Sequence, residues 1–375
     1  TFLAEEKSRL WRRVPVWLRR GAVEPVIGSL RPPAAKKGLL NKAKRFVEGA
    51  RLDPAWGHAR WRVFCDESMR ARLLTPAAGT HEAMLAPDGR HLLDSFSSLD
   101  TPPRLELSTV EGRRVRTVDD GAIPALNGVE LVLPELGTVP ADDGELLYSS
   151  MFRPRGFDPG KRYPALVYVY GGPGDQLVVN QWGGTRLLYQ MLLANKGLVV
   201  FTLDNRGSWG RGHAFEAAVH RRLGALELAD QLAGVRFLTA QPWIDPDRIG
   251  IYGGSYGGYM VLMAMNRAPD QFAAGISYAP VTDWRLYDTI YTERYLDRPD
   301  DNPDGYRDGS PINFAAGLDG SLLVCHGTVI KPVLMRIYGI DGRLIREEVL
   351  NNLSEKFSLD VSGLSNGFYI ASLFD

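Results

Sequence analysis

Between residues 163 and 326 the sequence alternates short, continuous apolar runs with stretches of helical period, and this alternation constrains the fold more than any other feature. The runs are ALVYVY (165–170), LVVFTL (198–203), RIGIY (248–252), AAGISYA (273–279) and LLVCH (322–326). Strands that are apolar along their whole length are buried on both faces. Helical patterns between them, such as Leu228, Leu232, Val235 and Leu238 on one face, supply the covering layers. The expected architecture is α/β, a parallel sheet flanked by helices.

Within this block one motif points to chemistry. Gly253-Gly254-Ser255-Tyr256-Gly257 fits G-x-S-x-G, directly after the run 248–252 and before a helical stretch at 258–265. That context is a nucleophile elbow, a sharp strand-to-helix turn that presents a serine hydroxyl above the sheet. Side chains at 253 and 257 would collide with the neighbouring strand and helix, which explains glycine at both. The helix N-terminus adds partial positive charge beside Ser255. A second motif, Tyr170-Gly171-Gly172-Pro173-Gly174, ends the first apolar run. It falls at the carboxyl edge of the sheet, where open α/β sheets bind ligands, and can hold an oxyanion donor.

The flanks are different in kind. Residues 1–80 carry 17 Lys+Arg against 7 Asp+Glu, leaving 27 against 37 for the rest of a chain whose net charge is zero. The balance argues against a nucleic-acid binder, and the basic faces read as solvated helix surface over 9–20, 36–50 and 59–74. From about Thr80 short β segments surround turn signals at Pro87-Asp88-Gly89 and Glu111-Gly112. After Thr328 an all-β pattern follows, with Asp341-Gly342 as a hairpin turn. No apolar run approaches the ~18 residues of a membrane helix. The sequence opens at Thr1 without Met, leaving room for residues upstream, and its two cysteines, Cys65 and Cys325, make no disulfide framework.

Residues 163–328 resemble the catalytic domain of the prolyl oligopeptidase family, in its dipeptidyl peptidase IV branch. The resemblance rests on YVYGGPG, FTLDNRGSWGRG, DPDRIGIYGGSYGGYM, YAPVTDWRLYDTIYTERYL, DGSPI and LLVCHGT, in that order. Residues 80–162 resemble the end of that family's β-propeller and its return to the hydrolase domain. The resemblance implies Ser255 as nucleophile, with the N–H of Tyr256 and the hydroxyl of Tyr170 stabilising the oxyanion. It implies that Tyr291 and Tyr295, with Trp284 nearby, line a pocket for proline. It calls for no cofactor and no metal, and for a peptide substrate containing proline, with a homo-oligomer compatible with it.

Two weaker resemblances lie at the ends. Residues 30–76 are similar to a helical piece of asparagine synthase, without that family's pyrophosphate loop or cysteine nucleophile. Residues 331–374 are similar to part of a type IX secretion sorting domain, which favours a periplasmic or secreted location. The expected organisation is therefore a basic helical block (1–79), propeller-like strands (80–140), a truncated α/β-hydrolase domain (141–328) and a β-sandwich-like tail (329–375). Three partial resemblances read as a composite chain.

The family's triad runs Ser, Asp, His along the chain. Here His326-Gly327-Thr328 continues as VIKPVLMRIYGIDG, without an acid at the expected place. Of the six histidines, at 58, 81, 91, 213, 220 and 326, only His326 follows Ser255. The functional expectation is a serine peptidase that cleaves after proline, represented by a chain without its base. The alternatives are a non-catalytic, peptide-binding or surface-attached hydrolase-like module, and an asparagine synthase-like amidotransferase fragment. The last lacks any phosphate-cradling glycine loop.

Overall fold

The structure is a computed structural model that describes residues 63–65, 71–326, 333–339, 344–350 and 368–374. All of these belong to one compact unit, Pro54–Asp375. The expected helices at 9–20 and 36–50 lie outside the described residues, as does nearly all of the asparagine synthase-like stretch. Where a helix was expected over 59–74, the structure has two short strands, β1 (Val63–Cys65) and β2 (Ala71–Leu73), paired antiparallel. The Val-Phe-Cys run favours extended backbone, and pairing with β2 satisfies it, which outweighs the charge spacing that suggested a helix.

Four strands follow as an antiparallel meander: β3 (Thr80–Leu85), β4 (His91–Ser97), β5 (Arg104–Thr109) and β6 (Arg114–Asp119). Their turns sit where the sequence signals them. Gly89 and Gly112 both take positive φ, 68° and 92°, and Asp88 Oδ1 accepts from the N–H groups of Arg90 and His91 at 2.8 and 3.2 Å. Strand β6 is exposed along its whole length, and its alternating charges protect an edge that would otherwise pair with another chain.

Among the described residues the main sheet has ten strands. Its parallel centre comprises β9 (Tyr163–Tyr168), β10 (Val199–Asp204), β11 (Ile244–Gly254), β12 (Ala274–Tyr278) and β13 (Ser321–His326), one for each apolar run. In space they lie in the order β13-β12-β11-β9-β10. Antiparallel β8 (Leu146–Phe152) and β7 (Glu135–Pro140) complete one side. Three principal helices cross between strands: α1 (Gly184–Asn195), α3 (Ala225–Thr239) and α4 (Tyr256–Arg267), with a short α2 (His213–Glu216) before α3. Leu228, Val235 and Leu238 are buried as their spacing requires, and Leu232 packs at the rim of the same core. Helix α4 is buried from Tyr256 to Asn266, consistent with a sequence apolar on nearly every side.

The described part of the tail is all β, as expected: its strands β14 (Val333–Gly339), β15 (Leu344–Leu350) and β16 (Phe368–Phe374) extend the main sheet. Strand β16 pairs parallel with β13, from Leu322 opposite Phe368 to His326 opposite Ser372, and β14 and β15 continue outward as an antiparallel hairpin. The physical reason is the open edge of β13, whose backbone groups pair with the nearest available strand.

Candidate active site

Strand β11 ends at Gly254 and α4 begins at Tyr256, so Ser255 alone makes the turn. Its φ of 57° and ψ of −119° lie in a region that costs a non-glycine residue about 1–3 kcal/mol. The turn is held by the Ser255 N–H, which donates to the carbonyl of Tyr278 at 2.8 Å, and by the Tyr259 N–H, which donates to the Ser255 carbonyl at 3.0 Å. Ser255 is exposed while the residues after it are buried. Three glycines allow this crowding. A Cβ on Gly253 or Gly257 would lie 2.4 or 2.2 Å from the carbonyl of Val169, and one on Gly258 would lie 2.6 Å from that of Tyr278. The Tyr256 N–H stands in the first turn of α4, where a helix leaves its amides unpaired.

The Tyr170 loop runs beside this turn. Gly171 has φ of 74°, and a Cβ on Gly172 would come within 2.8 Å of the Tyr170 ring and 2.9 Å of Tyr256. The loop is fixed from behind by side chains that sequence reasoning passed over. Buried Asn205 donates to the carbonyls of Gly171 and Arg206 at 2.9 and 2.7 Å, and its own oxygen accepts from Gln231 at 2.9 Å. Asp204 accepts from the N–H groups of Leu177 and Val178 at 3.0 and 2.9 Å. Burial pushes its carboxyl up to about 7. Arg206 braces the same turn through two bonds to the Asp230 carboxylate, at 2.6 and 3.0 Å. The only signal for these residues was the LDNRG run after a strand. Burial also raises the Tyr170 hydroxyl, so it stays protonated and able to donate.

An aromatic cluster links the two motifs to the segment after β12. The rings of Tyr170 and Tyr256 are 6.1 Å apart, Tyr256 and Trp284 5.7 Å, and Trp284 stacks on Tyr291 at 6.1 Å and 15°. Tyr291 meets Tyr295 at 4.9 Å, and the Tyr295 hydroxyl returns to the Tyr170 loop near Gly174. All six residues singled out in the sequence thus fall in one cluster around the Ser255 turn. Trp284 is 1% exposed and backs the cluster, whereas Tyr291 and Tyr295 are half-buried. Tyr287, which the sequence reading did not single out, contacts both Trp284 and Tyr291, at 5.9 and 5.6 Å. Its place in the WRLYDTIYTERYL run beside the other aromatics was the available signal. Helix α5 (Thr289–Leu296) carries Tyr291 and Tyr295 on one face, and Asp288 caps it by accepting from the Tyr291 N–H at 2.9 Å.

His326 ends β13, and β12 lies between that strand and β11. At about 4.8 Å per strand its backbone stands roughly 10 Å along the sheet from the elbow strand. Among the described residues no imidazole hydrogen-bonds the Ser255 hydroxyl, and no group of three or more His, Cys, Asp or Glu could hold a metal.

A serine in a strained strand-to-helix turn, at the carboxyl edge of a mostly parallel sheet with helices against it, defines the α/β-hydrolase fold. Over this block the chain is similar to the prolyl oligopeptidase family, whose profile matches residues 185–329. Residues 323–375 match the profile of the secretion system C-terminal sorting domain. Neither match reaches the asparagine synthase-like stretch. Dipeptidyl peptidase 8 of Mus musculus is 45% identical over 310 residues, covering 78% of this chain and 34% of that protein. Dipeptidyl peptidase 4 of Trichophyton tonsurans is 32% identical, covering 72% of this chain and 36% of that protein. The crystal structure of Porphyromonas gingivalis dipeptidyl peptidase 4 superposes with a TM-score of 0.68 at 32% identity, covering 73% of this chain and 39% of that one. The chain spans about a third of the length of the curated relatives it matches. Among the described residues no helix is long and apolar enough to cross a membrane.

Proposed function

We propose that the chain carries the nucleophile and pocket half of a serine peptidase site for proline-containing peptides. The observation that carries this reading is the exposed Ser255 at a strained turn, with the Tyr170–Tyr256 pair on one side and a tyrosine-rich wall on the other. In the proposed reaction the Ser255 oxygen attacks the carbonyl carbon of the prolyl residue, and the acyl-enzyme forms as the C–N bond to the next residue breaks and its amine leaves with a proton. The Tyr256 N–H and the Tyr170 hydroxyl would donate to the oxygen on which charge develops, each contributing a few kcal/mol in the transition state. Tyr291, Tyr295 and Tyr287, backed by Trp284, would receive the flat pyrrolidine ring. Relatives named as dipeptidyl peptidases support the substrate class.

The same reading gives this polypeptide binding without efficient turnover. A serine hydroxyl needs a base to take its proton, and the leaving amine needs an acid. His326 is the one histidine after Ser255 in the sequence, and it sits two strands along the sheet. The sorting-domain match supports export, with a periplasmic or secreted location. Calorimetric titration with Gly-Pro and Gly-Gly, alongside hydrolysis of a chromogenic Gly-Pro substrate, tests the whole proposal. Preferential Gly-Pro binding that is lost in Tyr291→Ala is expected; equal affinity for the two dipeptides would sink the pocket assignment.

A further inference from the structure

Beneath the elbow lies a carboxyl group that the site described so far does not use. Glu227 stands in the first turn of α3 and is completely buried. Its Oε1 accepts a hydrogen bond from the Tyr256 hydroxyl at 2.8 Å. Gly224, just before α3, has φ of 82°, and a Cβ there would lie 2.1 Å from the Tyr259 hydroxyl. Glycine at this point lets α4 press its tyrosines against the start of α3.

The bond to Glu227 is the polar anchor of the Tyr256 side chain. The ring otherwise rests on aromatic contacts, with Tyr170 at 6.1 Å, Tyr259 at 4.9 Å and Trp284 at 5.7 Å. Those contacts fix separation better than rotation or tilt, whereas a hydrogen bond fixes the far end of the ring. The backbone of the same residue supplies the amide next to Ser255, so the anchor controls both the proposed oxyanion donor and the wall between it and the pocket.

We propose that Glu227 is a positioning residue for the Ser255 site, acting through the Tyr256 hydroxyl to hold the oxyanion amide and the aromatic wall in register for a prolyl ligand. The inference rests on the reading of this site as a prolyl-peptide pocket. The titratable and charged groups that face the carboxyl are Asp230 on its own helix, Tyr256 and Tyr259 on α4, and Tyr291 on α5. Burial raises the carboxyl to about 7, against the amides of Gly224 and Glu227 and the Tyr256 hydroxyl, which favour the ionised form. Above that pH the ionised carboxylate holds the hydroxyl by a charge-assisted bond, roughly twice as strong as a neutral one. Below it the bond is neutral and the anchor weakens. The tyrosines around it remain protonated throughout, since burial raises each of them.

The test is Gly-Pro affinity of the full chain between pH 6 and 8 for wild type, Glu227→Gln and Tyr256→Phe, with thermal melts to show that each variant is folded. Wild type should bind about fivefold more tightly at pH 8 than at pH 6. Glu227→Gln keeps an acceptor oxygen but cannot ionise, so its affinity should be flat in pH and close to the wild-type value at pH 6. Tyr256→Phe should be flat and weaker. Infrared difference spectra between the two pH values give a second readout: the Glu227 part of the buried carboxyl band, beside that of Asp204, is lost in Glu227→Gln, and the tyrosine C–O shift that accompanies it is lost in both variants. A wild-type pH profile surviving in Glu227→Gln, or a tyrosine band indifferent to that substitution, overturns the positioning role while leaving the pocket intact. Failure of wild type to bind Gly-Pro at any pH overturns the pocket reading, and the positioning role falls with it.

Discussion

At the turn between β11 and α4, the groups that present Ser255 come from consecutive residues, Gly253 to Gly258, meeting two carbonyls of adjacent strands. At the end of β13 the neighbouring strand is β16, drawn from residues 368–374. The first arrangement is built on one short segment that fits against the ends of its two neighbouring strands. The second depends on which distant strand reaches an open edge, and here that strand belongs to a sorting-domain match. The serine turn is therefore complete at the end of one strand, while the strand beside His326, two strands away, comes from a segment that matches a different profile.

The sharpest way to break this comparison is to look for turnover. Losing the histidine or serine of a working triad costs on the order of 10⁶ in rate, and an oxyanion hole with binding retains roughly 10³ to 10⁴ over water. Hydrolysis of a chromogenic Gly-Pro substrate should be at that trace level and change little in His326→Ala. Enzyme-like turnover abolished by both Ser255→Ala and His326→Ala would show that the β13 end supplies a base after all.

A smaller effect concerns how local the elbow is. Gly257→Ala places a Cβ against the Val169 carbonyl, with backbone on both sides unable to give way. Such overpacking should cost about 3 kcal/mol in urea unfolding. A loss under about 1 kcal/mol would mean that the turn tolerates side chains and is less tightly specified than its contacts indicate.

Behind the Tyr170 loop, Asn205→Ala leaves the Gly171 and Arg206 carbonyls and the Gln231 amide without this partner. Each buried group left unpaired costs about 1–3 kcal/mol. We expect a clear fall in urea midpoint together with weaker Gly-Pro binding, because the loop carries Tyr170. Unchanged binding in a destabilised variant would separate the loop from the site.

The pH dependence of stability is gentler. Asp204 and Glu227 are both raised to about 7 by burial, whereas an unfolded carboxyl titrates near 4. Between about pH 4 and 7 the native state holds protons that the unfolded chain has released, so stability should fall as pH rises through that window. Carboxylates held low by their partners, such as Asp283 beside Arg285, act below it. Urea midpoints at pH 5 and 8 check the sign, and Glu227→Gln should shrink the difference to the part that Asp204 contributes. A midpoint that rises from pH 5 to 8 would contradict the burial of these two groups as ionisable pairs with the α4 and Tyr170-loop elements.

Much of this was legible in the sequence where the signal is short-range. Each apolar run between 165 and 326 became one parallel strand, and G-x-S-x-G announced its own turn because the glycines that the neighbouring strand ends require fall at fixed spacing around the serine. Tyr170, Trp284, Tyr291 and Tyr295 came from resemblance, and the fold gathers them with Tyr256 around Ser255. Glu227, Asn205 and Asp204 were not singled out, since a polar residue beside a strand or in a helix reads the same whether it faces water or a buried partner. Their meaning depends on what lies opposite, 27 to 34 residues away in the Leu177, Gly171 and Tyr256 contacts.

The sequence by itself determined the alternation of strand and helix, the turn at Ser255 and the uneven charge of the two parts of the chain, because each follows from backbone sterics or composition over a few residues. Only the tertiary structure decided that β9 lies between β10 and β11, that Glu227 sits under Tyr256, and that β16 takes the edge beside His326. Strand order and buried pairing are settled by which surfaces exclude water together, and that depends on all the elements at once.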